Sequence, residues 1–219
     1  MRCALLISWL SFALCAQAAR QPNFVFVLID DMGWGDFSCF GNKEAKTPNI
    51  DRLAAEGLRF SQFYVNSPIC SPSRCAFVTG QYPQRWRINS FLGNRADNNR
   101  NGNAQWLDPK APTLARTLKD VGYATGHFGK WHLGGPDGAS PTQHGFSVYR
   151  DAMESRKASD RTALTASTDP KAMYTTNRDV MTWASERKAT PWFAAVMYHG
   201  IHTPHEARTA TLERLQKTG

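Results

Sequence analysis

The stretch NFVFVLIDD, residues 23 to 31, decides how the chain folds. An unbroken apolar run, Phe24 to Ile29, ends in two acids, Asp30 and Asp31. Such a run predicts a strand buried on both faces of a parallel sheet, with its carboxyl end delivering side chains to a site. TPNIDRLAAEG follows, with Thr47 as N-cap, Pro48 at the first helical position, Ile50, Leu53 and Ala54 at helical spacing and Gly57 as the stop. Strand and helix alternate beyond it. LRFSQFYV (58 to 65) predicts a strand, and SPSRCAFVTG a short helix capped by Ser71, with Pro72 inside its start and Gly80 past its end. PTLARTLKDVG (112 to 122) predicts a helix with Leu114, Leu118 and Val121 on one stripe. YATGHFGKWHLG reads as a strand running into a loop, NRDVMTWASERK (177 to 188) as a helix, and PWFAAVMYHGIHTPH (191 to 205) as an apolar strand ending in histidines. The alternation argues for an α/β fold with a mostly parallel central sheet flanked by helices. In such sheets ligands sit beyond the carboxyl ends of the strands, where Asp30, Asp31, Lys130, His132 and His202 would all fall.

Between the second and third of these helices, residues 87 to 105 are rich in Asn, Gly and Arg. They read as a long surface loop that either rims a site or is a simple insertion.

The amino terminus, MRCALLISWLSFALCAQAA, has Arg2 as a positive start, a short apolar run from Ala4 to Cys15 and small residues at Ala16-Gln17-Ala18. It reads as a secretory leader over residues 1 to 19 and predicts a secreted or periplasmic protein; Leu14 is bulky for a lipoprotein site at Cys15. No later run reaches the roughly 20 apolar residues of a membrane helix, so stable membrane insertion is not expected. About 200 residues remain of the 219, and 42% hydrophobic content with seven tryptophans predicts one folded domain. The net charge of +8 is scattered, with no basic block of five or more, so an anionic small molecule or polymer fits better than nucleic acid. Past the leader the chain keeps Cys39, Cys70 and Cys75, an odd number for an oxidising compartment.

Four groups of residues carry chemistry. Asp30 and Asp31 side by side ask for a neutralising cation, and oxygen ligands favour calcium or magnesium over zinc; alternatively they begin a solvated turn, DDMGWGD. Cys70 precedes a helix whose free N–H groups favour an anion, with Arg74 one turn on; its other readings are a disulfide with Cys39 or Cys75, or an inert buried thiol. Lys130 and His132, two apart in GKWHLG, share one face if the strand continues that far. His199, His202 and His205 recur every third residue, but Pro204 breaks any helix that would align them on zinc.

These segments together resemble the sulfatase family of the alkaline phosphatase superfamily, over nearly the whole chain past the leader. The family's Cys-x-Pro-x-Arg element with its Thr-Gly appears as CSPSRCAFVTG, Cys70 to Gly80. Its opening strand and acidic pair match VFVLIDDMGWGD, its helix TPNIDRLAAEGLRF, its Lys-x-His GKWHLG and its late His-x-Pro IHTP. The resemblance implies that Cys70 is oxidised to formylglycine by a dedicated maturation enzyme that reads Pro72 and Arg74, leaving Cys39 and Cys75 to pair or stay free. A hydroxyl of the hydrated aldehyde would attack sulfur and displace the alcohol; deprotonation of the second would expel sulfate. By the same likeness Asp30 and Asp31 ligate a metal, most naturally calcium, that also meets the Cys70-derived oxygen. His132 is the base, Lys130 steadies nucleophile and sulfate oxygens, and His202 lies near the leaving oxygen; the substrate is a sulfated small molecule or glycan.

Family members are longer. Their later part brings further metal ligands, an Asp-Asn or Asp-His pair, another lysine and a C-terminal subdomain, so residues 20 to 219 are expected to be the N-terminal part of a catalytic domain. The alternatives are a phosphomonoester or phosphonate monoester hydrolase with the same nucleophile, and an inactive truncated product that binds sulfated glycans.

Overall fold

The computed structural model describes residues 21–134, 138–154 and 165–218; the expected leader lies outside them. Its main sheet is built from β1 (Phe24–Asp30), β2 (Ala124–Gly129), β3 (Val148–Arg150) and β5 (Trp192–Ile201), in the order β1-β5-β2-β3 with every pairing parallel. A separate two-residue parallel pair joins β4 (Thr165–Ala166) to β6 (Glu206–Ala207). The helices are α1 (Pro48–Glu56), α2 (Cys70–Thr79), α3 (Arg95–Arg100), α4 (Leu114–Asp120), α5 (Met173–Ser185) and α6 (Thr209–Thr218).

Alternation along β5 divides the core into two layers, because successive side chains point to opposite faces. Phe193, Ala195 and Met197 pack with Cys75 and Val78 of α2, Ala115 of α4, and Trp131 and Phe146. Ala194 and Val196 pack with Phe128 and with Trp183 of α5. The sheet is therefore covered on both faces, as the expected α/β class requires.

Several expectations need correction. The first strand is an edge strand, not a buried one: Phe24, Val25 and Val27 are exposed, since among the described residues only β5 pairs with it. Residues 58 to 65 form no strand, and Leu58, Phe60, Phe63, Tyr64 and Val65 face solvent. Local alternation makes a strand only where a neighbour takes up its backbone groups, and none among the described residues does so here. No residue of α1 is buried despite its apolar spacing. In α4 the buried residue is Ala115, while Leu114 and Val121 are exposed. α1 is held instead by polar contacts: Asp51 accepts from Ser38 Oγ (2.6 Å), the Cys39 amide (2.8 Å) and Thr47 Oγ1 (3.0 Å), tying the helix to the loop that leaves Asp31.

Residues 87 to 105 are not a bare surface loop. Ile88, Leu92, Asn98 and Asn103 are buried, and the asparagines hold the backbone that threads past them. Asn98 Oδ1 accepts from the Gly93 amide (2.8 Å), and Asn103 Oδ1 accepts from the amides of Asn89 (2.9 Å) and Ser90 (3.2 Å).

His127, at the centre of β2, is buried with its ring edge-on to Trp131, Phe146 and Tyr149. Its Nδ1 has no partner among the described residues. Burial first, then the Arg74 charge, depresses its pKa from 6.5 to about 3. The unfolded chain thus takes up this proton near pH 6.5 and the folded chain only near 3, so stability is complete above about pH 6.5 and falls as the pH drops below it. At 1.36 kcal/mol per pH unit, His127 alone should cost about 2 kcal/mol between pH 7 and 5. Urea unfolding of His127→Phe across that range should show a shallower loss than the unsubstituted protein; an equal slope would place the effect elsewhere.

Candidate active site

The carboxyl ends of β1, β2 and β5 and the amino end of α2 converge on one side of the sheet. Asp30, the last residue of β1, is 5% exposed. Arg74 of α2, itself 1% exposed, donates from a terminal guanidinium nitrogen to Asp30 Oδ1 at 3.3 Å, and Lys130 Nζ meets Asp30 Oδ2 at 2.5 Å. Burial pushes the Asp30 carboxyl up, but Arg74 and Lys130 outweigh it and hold the pKa below the usual carboxylate value. Burial in turn lowers that of Arg74, and Asp30 opposes the shift. A second guanidinium nitrogen of Arg74 donates to the Lys130 carbonyl at 2.6 Å. One arginine thereby joins β1, α2 and the segment after β2.

That segment leaves the strand at Gly129, whose φ is +95°; a Cβ there would lie 2.1 Å from the Met197 carbonyl oxygen. Only glycine allows so close an approach. The Lys130 amide still reaches the Met197 carbonyl at 2.9 Å, but His132 has a positive φ of 57°. Lys130 and His132 are therefore not alternate residues of one extended strand. They reach the site from a turn, Lys130 toward Asp30 and His132 toward Leu92.

His132 Nε2 bonds the Leu92 carbonyl at 3.0 Å. A carbonyl only accepts, so Nε2 carries the hydrogen and Nδ1 is left with its lone pair. That Nδ1 is buried and has no partner among the described residues. Burial first, then Lys130 and Arg74, lowers the ring's pKa to about 4, so it is neutral near pH 7. The Leu92 amide donates to Ser71 Oγ at 3.0 Å. Ser71 is thus a buried residue inside α2 rather than its cap, a position taken by Ile69. Sequence reasoning missed Leu92 because its part is played by backbone groups.

Cys70 is the first residue of α2, where the opening amides have no intrahelical partner. Pro72 has no N–H to leave unsatisfied in that turn, and Gly80 closes the helix in the left-handed conformation. Cys39, Cys70 and Cys75 are all free, so no disulfide takes Cys70. Burial raises the Cys75 thiol to about 12, which makes it inert.

Asp31 and His202 lie at the outer margin. Asp31 has a positive φ of 62° and an exposed carboxylate, and His202 Nε2 stands 3.7 Å from Asp31 Oδ2. His199 does not join His202 or His205; it pairs with Asp151, from Nε2 to Oδ2 at 2.9 Å. No group of three His, Cys, Asp or Glu side chains able to hold a metal occurs among the described residues. Asp30 and Asp31 supply the oxygen chemistry a hard cation takes, but calcium wants 6 to 8 such ligands, and Asp30 already serves Arg74 and Lys130. The donor type fits; the shell is partial.

A parallel sheet covered on both faces carries, beyond its strand ends, a helix amino end, an arginine, a lysine and an imidazole nitrogen without a partner among the described residues, a set of groups suited to facing an anion. The family model described as Sulfatase matches residues 22–218, and the chain belongs to the sulfatase family. It is 41% identical over 158 residues to steryl-sulfatase of Rattus norvegicus, covering 67% of this chain and 26% of that protein. It is 44% identical over 142 residues to arylsulfatase A of Homo sapiens, covering 64% and 27%. Among solved structures, Ps i-CgsB in complex with k-i-k-neocarrahexaose superimposes with a TM-score of 0.72 at 23% identity, over 91% of this chain and 49% of that one. The chain spans about a quarter of the length of the curated relatives it matches.

The ion cluster and the exposed acid should respond differently to mutation. Asp30→Asn leaves the Arg74 charge buried without its counter-ion and should cost about 3 kcal/mol. Asp31→Asn, at an exposed position, should stay within about 0.5 kcal/mol. Denaturant unfolding of the metal-free proteins checks both, and equal losses would contradict the arrangement.

Proposed function

We propose that the chain carries the nucleophile-bearing part of a sulfuric ester hydrolase, acting on a sulfated small molecule or glycan through a formylglycine made from Cys70. One observation carries this reading: two buried polar atoms beside the start of α2, the donor Arg74 Nε–H and the acceptor His132 Nδ1, have no partner among the described residues. Orphaned buried groups are costly, and a bound tetrahedral oxyanion together with a hydroxyl-bearing residue 70 would satisfy both.

In this reading the free amides at the start of α2, Arg74 and Lys130 face the charge on the sulfate oxygens. Each preorganised donor of that kind is worth about 3 to 4 kcal/mol of barrier. His132, with its tautomer fixed by the Leu92 carbonyl, offers Nδ1 to take the proton from the hydroxyl at residue 70 when sulfate departs. His202, at the margin, lies where a leaving alcohol would exit. Asp30 and Asp31 supply part of the oxygen shell of a divalent cation, calcium before magnesium, which when bound would add positive charge for the sulfate. A maturation enzyme that reads Pro72 and Arg74 in the unfolded chain completes residue 70.

Residues 1 to 19 act as the export leader, and the folded part as the N-terminal part of the catalytic domain. No helix among the described residues is long and apolar enough to cross a membrane.

Matched aryl sulfate and aryl phosphate esters test the assignment on the full-length matured protein. The sulfate should be preferred, and Cys70→Ala should abolish turnover with folding intact. Preference for phosphate would overturn the reading. His132→Gln should lower kcat on the order of 100-fold, as loss of a general base does, with KM little changed.

A further inference from the structure

Asp151 and His199 form a part-buried contact that the roles above leave unused. Asp151 follows β3 directly, while His199 stands near the end of β5; β2 runs between these strands, so the two backbones are roughly 10 Å apart. The side chains close that gap over the end of β2. His199 Nε2 lies 3.0 Å from Asp151 Oδ1 and 2.9 Å from Oδ2, and the Asp151 side chain is 5% exposed. The Met153 amide donates to Oδ1 at 2.9 Å, fixing the carboxylate from its own loop. Burial raises the Asp151 pKa, but the contact with His199 outweighs this and holds it below the usual value.

The chain just past this contact carries a site residue. The His199 carbonyl accepts the His202 amide at 3.1 Å, and His202 Nε2 is the atom 3.7 Å from Asp31. Two residues before His199, the Met197 carbonyl accepts the Lys130 amide. The end of β5 thus holds both His202 and Lys130, and it is tied across the sheet through His199.

We propose that Asp151 and His199 are positioning residues, a carboxylate–imidazole brace that fixes the end of β5 so that His202 is presented to the leaving oxygen. The inference rests on the sulfatase reading for the role of His202, but the brace itself does not. Neither residue touches substrate in this scheme. The Nε2–H of His199 serves Asp151 and its carbonyl serves His202, so the brace works by geometry and not by proton transfer.

Two measurements on the full-length matured protein test it. The first is independent of activity: hydrogen exchange followed by mass spectrometry on peptides covering residues 198 to 205. His199→Ala and Asp151→Ala should speed exchange of the His202 amide at least about tenfold, the mark of a local opening, while peptides over β1 stay protected. Unchanged protection at 198 to 205 overturns the brace. The second is a kinetic cycle with a phenyl sulfate, whose leaving group needs help. His199→Ala should lower kcat on the order of 10- to 100-fold, as displacement of a catalytic group does, with KM little altered.

In a His202→Ala background the same change should add almost nothing, because both act through one group. His199→Gln keeps an N–H for Asp151 and should recover most of the lost rate. A full loss in the His202→Ala background, or a Gln variant as poor as Ala, overturns the positioning role; the latter would mean that the ring itself moves a proton. Failure of the unsubstituted protein to cleave any sulfate ester would overturn the sulfatase reading, while the exchange result would still decide the brace.

Discussion

Asp30 is almost wholly removed from water, and two cations from different parts of the chain share its carboxylate. Removing one ion from solvent costs several kcal/mol, and a buried cluster recovers that only when its geometry is good and its remaining polar atoms are satisfied. Here the geometry joins three elements, because Arg74 also holds the Lys130 carbonyl. The start of α2 therefore stands in fixed relation to the ends of β1 and β2. Cys70, one turn before Arg74, is placed by the same contact.

The cluster also sets the site's electrostatics. Arg74 and Lys130 add to burial in keeping His132 neutral, and the Leu92 carbonyl decides which of its nitrogens is free. A neutral imidazole whose buried Nδ1 has no partner among the described residues, set among cations, suits proton removal from a group that itself sits among positive charges. Cys75, one residue after Arg74 and buried, has its thiol raised to about 12, while Cys70 at the helix start is half-buried. Neighbouring cysteines thus meet opposite environments within a turn and a half of helix.

Much of this was legible in the residues. The apolar run into Asp30-Asp31, the strand leading to Lys130 and the strand ending in histidines stand where their patterns put them, and the helix read from Ser71 to Gly80 forms with its start moved back to Cys70, because each is strongly periodic or bounded by glycine and proline. What could not be read depended on partners distant in sequence. Among the described residues, β1 reads as buried but has one neighbour, and residues 58 to 65 read as a strand but have none. Asn98 and Asn103 look like loop residues until their amides are seen holding backbone. Leu92 and the Asp151–His199 contact left no local signal, since one acts through its main chain and the other joins residues 48 apart. Lys130 and His132 reach Asp30 and the Leu92 carbonyl through the turn after Gly129, not along one face of an extended strand as their spacing suggests.

The chemical state of residue 70 decides whether this site can work through a hydrated aldehyde. Mass analysis of the peptide spanning residues 65 to 85, from active full-length protein, tests this most directly. An aldehyde lighter than cysteine that forms a hydrazone with a hydrazide is the predicted result. An intact thiol in protein that cleaves sulfate esters at full rate would contradict it.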